Sequence, residues 1–226
     1  MIPAPSYEHI DNLLNLESFS VGHGFASGFP SKTRTVGFIL FDQNFDRSPI
    51  KDVMSNLDML NLHSGTDIHF FLCGISQYGS NDEHAKEVGT LNGVSVYHNA
   101  KSVHSFIRAF AEQIPRWNYE YGCELILVDV KENEGRRSLN FETAVFFKIE
   151  QLIKVGVIGR PSDLLGKLIK FSRESKLSSA SDFREELRRL FGINWLKGLI
   201  LALFPKAVGK LARAEAALWG GSALPD

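Results

Sequence analysis

Only two cysteines occur in the 226 residues, Cys73 and Cys123, each inside an apolar, strand-like stretch. They form no CxxC pair, so neither a thiol redox motif nor a cysteine-based zinc site is available, and two buried, reduced thiols are expected. The N-terminus, MIPAPSYEHIDNLL, lacks a basic segment followed by an apolar core. A secretory signal is therefore not expected, and a cytoplasmic location is. No uninterrupted apolar run approaches the roughly 20 residues that cross a bilayer. An excess of charge of one sign is missing too: 25 Lys+Arg stand against 26 Asp+Glu, with a pI of about 6.7. That balance argues against a broad basic face for nucleic acid. Low-complexity tracts are absent, as is any repeat beyond two strand-helix-strand units.

What is present is the composition of an ordinary globular protein, 44% hydrophobic and 23% charged. The charge is unevenly placed. Residues 157–226 carry 12 Lys+Arg against 7 Asp+Glu, and residues 1–156 carry 13 against 19, so two parts with different surfaces are expected.

The run TVGFILFD, residues 35–42, is apolar almost throughout and reads as a strand buried on both faces. Ser48 and Pro49 supply a helix start, and Ile50, Val53, Met54, Leu57 and Leu60 follow at helical spacing. DIHFFLCG from Asp67 is the next strand. A second unit of the same kind runs through GVSVYH at 93–98, a helix at 101–114 ended by Pro115, and the strand CELILVDV at 123–130. One short helix is expected around Asp82 to Val88. The class expected is α/β, with a four-stranded mixed or parallel sheet in βαβ-βαβ order and a helical C-terminal region. Thioredoxin-like and ferredoxin-like arrangements are the alternatives.

Three segments follow: 1–29, an N-terminal helix and glycine-containing lead-in; 30–135, the sheet domain; and 136–226, the helical region packed on it or extending it. In the last, Asn140 is read as the cap of a helix containing Phe141, Val145, Ile149 and Leu152, with further helices at about 162–173, 181–191 and 194–219.

The loop GHGFASGFPSKT at 22–33 superficially resembles a phosphate-binding loop. That motif needs GxxxxGK[ST] between a strand and a helix, so that backbone amides and the helix N-terminus converge on phosphate. Here Phe29, Pro30 and Ser31 precede Lys32, and a strand follows. Spacing and context both fail, which leaves a glycine-containing path into the first strand. HExxH, HxH and GxSxG are absent as well.

Acidic residues at strand ends are the stronger chemical signal. Asp42 and Asp46 follow the first strand, and Asp129 ends another. Were those strands adjacent and parallel, the three carboxylates could hold a hard divalent cation such as Mg and support phosphoester hydrolysis. The competing reading is that such residues end strands because they hydrogen-bond nearby backbone. Arg136 and Arg137, beyond the same strand, present planar forks suited to an anion.

The stretch 193–219, INWLKGLILALFPKAVGKLARAEAALW, combines apolar residues with lysines. No acidic residue lies between Glu186 and Glu215. Trp195, Lys197, Phe204, Lys206 and Lys210 would meet a protein partner, a second copy of the chain, or an anionic membrane surface. Because the catalytic templates fail or stay incomplete, the leading expectation is a non-catalytic interaction module, an adaptor, sensor or immunity-type protein, that makes contact through its helical C-terminal region without a cofactor. A metal-dependent hydrolase of a phosphorylated or nucleotide substrate and a peripheral membrane protein are the alternatives, and nucleic acid is not an expected partner.

Overall fold

A computed structural model describes residues 1–15, 35–41, 48–64, 68–77, 85–114, 117–120, 122–154 and 156–175. The strands are β1 (Ile2–Ala4), β2 (Thr35–Leu40), β3 (His69–Cys73), β4 (Ile75–Ser76), β5 (Ala85–Leu91), β6 (Val94–Asn99), β7 (Glu124–Asn133) and β8 (Arg136–Lys148). The helices are α1 (Tyr7–Asn15), α2 (Ser48–Ser55), α3 (Leu57–Ser64), α4 (Ala100–Gln113), α5 (Ile149–Lys154) and α6 (Pro161–Ser175).

The chain is α/β. Its main sheet is mixed and has five strands in the order β1-β3-β2-β7-β8; β1, β3 and β2 run parallel, whereas β7 is antiparallel to both β2 and β8. Every residue of β2 is buried, as its continuous apolar run requires. Alternation along that strand divides the core in two. Ile39 and Phe41 join Phe70, Leu72, Leu125 and residues of α2, α3, α5 and α6 on one face. Val36, Phe38 and Leu40 join Phe71, Ile126 and residues of α1 and α4 on the other. Helices therefore cover both faces of one sheet. Cys73 and Cys123 belong to different faces, both buried and both free. Burial pushes each thiol well above its ordinary value, which keeps it protonated.

The first unit keeps its expected order, with two short helices in place of the single one expected: β2 and β3 are parallel neighbours with α2 and α3 between them in the chain. The second is not one crossover. Strand β6 leaves the main sheet and pairs with β4 and β5 in a separate antiparallel sheet of order β4-β6-β5. Gly74 makes the turn between sheets. It sits at φ +77° between β3 and β4, its N–H donates to Ala4 O, and its carbonyl accepts from Asn99 N–H. Asn99 then caps α4, its side chain accepting from Ser102 N–H at 3.2 Å.

Two hairpins replace expected loops and helices. Asn92 (φ 52°) and Gly93 (φ 77°) join β5 to β6, and Glu134 (φ 52°) and Gly135 (φ 78°) join β7 to β8. Both are two-residue turns with consecutive left-handed residues, the geometry that matches strand twist. Ala85 to Val88 are accordingly strand rather than helix. Asn140, expected to cap a helix, lies in β8 opposite Asp129, and helix begins only at Ile149. Phe141, Val145 and Ile149 satisfy helical spacing, but a strand with apolar residues on both faces satisfies the same spacing, and the adjacent turn decides for the strand. The 135/136 boundary falls inside this hairpin. Helix α6 covers the expected helix at 162–173, and the helices expected beyond Ser175 lie outside the described residues. Among the described residues no helix is long and apolar enough to cross a membrane.

Candidate functional site

An open cleft of about 530 Å³ lies where β7 begins and β8 ends, walled by Glu120, Gly122, Lys148, Glu150 and Gln151, with Cys123 and Pro49 also against it. The hairpin register creates it. Glu124, the first residue of β7, pairs with Lys148, the last of β8, and from the other side with Leu40, the last of β2. Ile149 N–H then donates to Cys123 O at 2.9 Å, which turns the chain from β8 into α5 above this point.

A carboxylate network fixes the wall of the cleft. Glu124 is buried, and its two oxygens accept from the segment just before the strand: Oε2 from the Trp117 indole N–H at 2.9 Å, Oε1 from Glu120 N–H at 3.1 Å. The Glu120 carboxylate in turn accepts from Lys148 Nζ on one oxygen and from Gln151 Nε2, at 2.7 Å, on the other. Tyr119 OH donates to Gly122 O at 2.7 Å and closes the segment on itself. Gly122 lies close to the Glu150 carboxyl group: a Cβ there would be 3.1 Å from the carboxyl carbon, a tight contact. Burial raises the pKa of Glu124, and the Glu120 charge adds to it. The Glu120 N–H, the Trp117 indole and the Lys148 charge oppose the rise.

All four oxygens of Glu120 and Glu124 thus accept hydrogen bonds from this chain. That arrangement positions residues 117–120 against the sheet. Sequence reasoning missed it, although the isolated Glu124 at the head of an apolar run and Lys148 at the tail of another were visible as charges that a buried strand end must neutralise.

The residues proposed for metal binding fall differently. Strands β2 and β7 are adjacent, but antiparallel. Asp129 faces Thr35 at the start of β2, with Thr35 Oγ1 3.5 Å from Asp129 Oδ1, whereas Leu40 is opposite Glu124. Five residues of strand separate the two ends, about 17 Å at roughly 3.4 Å per residue. Asp42 and Asp46 lie outside the described residues. The crevice that parallel strands would have shared is therefore absent from this topology. Among the described residues no group of three or more His, Cys, Asp or Glu is arranged to hold a metal ion.

Arg136 and Arg137 belong to β8 and face their own chain. The Arg136 guanidinium is 3.3 Å from Asp11 of α1, and Arg137 Nε is 3.7 Å from Glu132 across the hairpin. Trp195, Lys197, Phe204, Lys206 and Lys210 lie outside the described residues.

A different surface feature is present on α3. Met59 (44% exposed) and Leu62 (79% exposed) are one helical step apart on the same face, and Arg173 near the end of α6 donates to His63 O at 2.6 Å beside them. Comparison with protein-family models, with curated proteins and with solved structures found no match.

Proposed function

We propose that the protein is a non-catalytic interaction module that associates with a second copy of itself through the exposed face of α3 and the C-terminal region that follows α6. The observation that carries this reading is the position of Leu62 and Met59. They are two of the three large exposed hydrophobics among the described residues, and the Arg173–His63 hydrogen bond brings the end of α6 to the same helix. The C-terminal region continues from Ser175 and contains the apolar and basic residues Trp195, Lys197, Phe204, Lys206 and Lys210. An exposed leucine with an apolar neighbour gains by being covered, at about 25 cal/mol per Å² of apolar surface removed from water. The same reading places the protein in the cytoplasm, in keeping with two free, buried thiols.

The test is solution mass by light scattering over a wide concentration range. The full chain, the Leu62→Glu/Met59→Lys variant and a chain ending at Ser175 are compared, with far-UV circular dichroism as the control for folding. A mass above the monomer that falls in both altered forms is expected. A full chain that stays monomeric throughout, or an association that neither change weakens, rejects the proposal.

A further inference from the structure

We propose that the second copy docks in one orientation: two α3 helices pair antiparallel about a two-fold axis, with Met59 of each copy on Leu62 of the other and Asp58 of each beside Arg173 of the other. The inference rests on the self-association proposed above and supplies its geometry. The exposed face of α3 is apolar in the middle and charged at its ends. Met59 and Leu62 lie between Asp58, in the first turn, and His63, in the last, where Arg173 of α6 donates to the His63 carbonyl at 2.6 Å. Asp58 and Arg173 are both exposed. A carboxylate has two oxygens and a guanidinium five donors, so each can serve the neighbour it has and a partner as well. A face with one acidic and one basic end matches itself only when the second helix runs the other way, because parallel pairing sets like charges together. An axis midway between Met59 and Leu62 also lies midway between Asp58 and His63, so the apolar and the charged contacts form together.

The β5–β6 hairpin extends this face. Leu91 and Val94 are opposite one another at its tip, so their side chains share one side of the small sheet, and Leu91 belongs to the same core as Leu57 and Leu60 of α3. Val94, 43% exposed, is therefore on the α3 side, and Asn92 N–H holds the tip to the acidic end of the helix by donating to Asp58 Oδ1 at 2.8 Å. All three large exposed hydrophobics among the described residues thus lie on the surface that the second copy covers.

Charge reversal tests the orientation, with solution mass followed over a wide concentration range. Asp58→Lys alone and Arg173→Glu alone each set like charges together twice in the symmetric pair, and each should raise the concentration needed for half-association by about tenfold. Mixed in equal amounts, the two variants should regain the association of the wild type. The new cation at position 58 of one chain then meets the new anion at position 173 of the other, while the second pair is native. A mixture no tighter than its components, or single reversals that leave association unweakened, overturns the orientation and leaves self-association standing. A wild-type chain that stays monomeric overturns both. If a reversal does not fold by circular dichroism, chains carrying Met59→Cys and Leu62→Cys decide instead. Under mild oxidation their mixture should form the intermolecular disulfide between positions 59 and 62 faster than either chain alone, and equal rates overturn the proposal.

Discussion

The Trp117 indole N–H donates to Glu124 Oε2 at 2.9 Å, and both residues are almost completely buried, at 5% and 2% exposure. The ring itself packs edge-on against Phe110, 6.0 Å between centroids. Trp117→Phe keeps an aromatic body in that site but removes the donor, which leaves a buried carboxylate oxygen short of one partner. A loss of about 1–3 kcal/mol is expected. It appears as a lower urea midpoint with an unchanged slope. In a Glu124→Leu background the same substitution should cost less, and equal costs in the two backgrounds would show that packing alone is responsible.

Gly74 turns the chain from one sheet into the other, and it does so with a positive φ of 77° where a Cβ would come within 2.4 Å of Val103 Cγ2. Strain and overlap both oppose any side chain there. Gly74→Ala is expected to destabilise by about 2 kcal/mol or more. Val103→Ala should recover the overlap part and leave the conformational part. A thermal melt of the two single variants and the double variant separates these contributions, and simple additivity would refute the contact as the cause.

The strands β2, β3 and β7 and the helices α2, α4 and α6 were legible because each answers to a local rule: a continuous apolar run, a capping residue, a helical spacing. Pairing was not. TVGFIL and CELILV look alike in sequence, and nothing in either says that one runs parallel and the other antiparallel to its neighbour. That direction depends on how the chain returns, and after β3 it crosses to a different sheet at Gly74 before it does. Two signals were available and went unused. Asn92-Gly93, set between strand-forming residues, is a strong signal for a tight hairpin, and Glu134-Gly135 is a weaker one that rests on its glycine. The second would have converted the expected helix at Asn140 into a strand, but the register shift between Leu127 and Asp129 still separates that turn from the pairing of Lys148 with Glu124. The cleft was hidden for the same reason, since Glu120, Glu124 and Lys148 meet only once that register is known.

His69 links stability to pH. Burial first, and the positive Met1 amino group second, push its pKa down from 6.5 to about 4. Between those values the unfolded chain binds a proton that the folded chain refuses, so stability falls as pH drops from 6.5 toward 4 and this contribution is level above 6.5. The full difference is about 3 kcal/mol. Glu124, whose pKa is raised, acts with the opposite sign by losing stability as pH rises from its ordinary value. Because Glu124 is common to both proteins, comparing wild type with His69→Phe isolates the histidine. The difference between their unfolding free energies should change between pH 6.5 and 4 and stay constant above; parallel curves throughout would refute the assignment.

Asn15, the last residue of α1, pairs with the backbone of Arg137 as a neighbouring strand would. Its Nδ2 donates to Arg137 O at 3.0 Å, and its Oδ1 accepts from Arg137 N–H at 2.7 Å. Arg137 lies in β8, the outermost strand of the main sheet among the described residues, so these two groups point away from β7. An outer strand with unpaired backbone groups is a template for pairing with other chains, and one side-chain amide covers this position. Asn15→Asp retains the acceptor but sets a carboxylate against the Arg137 carbonyl, while Asn15→Ala uncovers both groups. Each should cost about 1 kcal/mol. Their second effect separates the roles of capping and covering: Asn15→Ala should also accelerate aggregation, followed by light scattering at matched stability. If it loses stability without aggregating faster, Asn15 anchors α1 to the sheet but does not protect the edge.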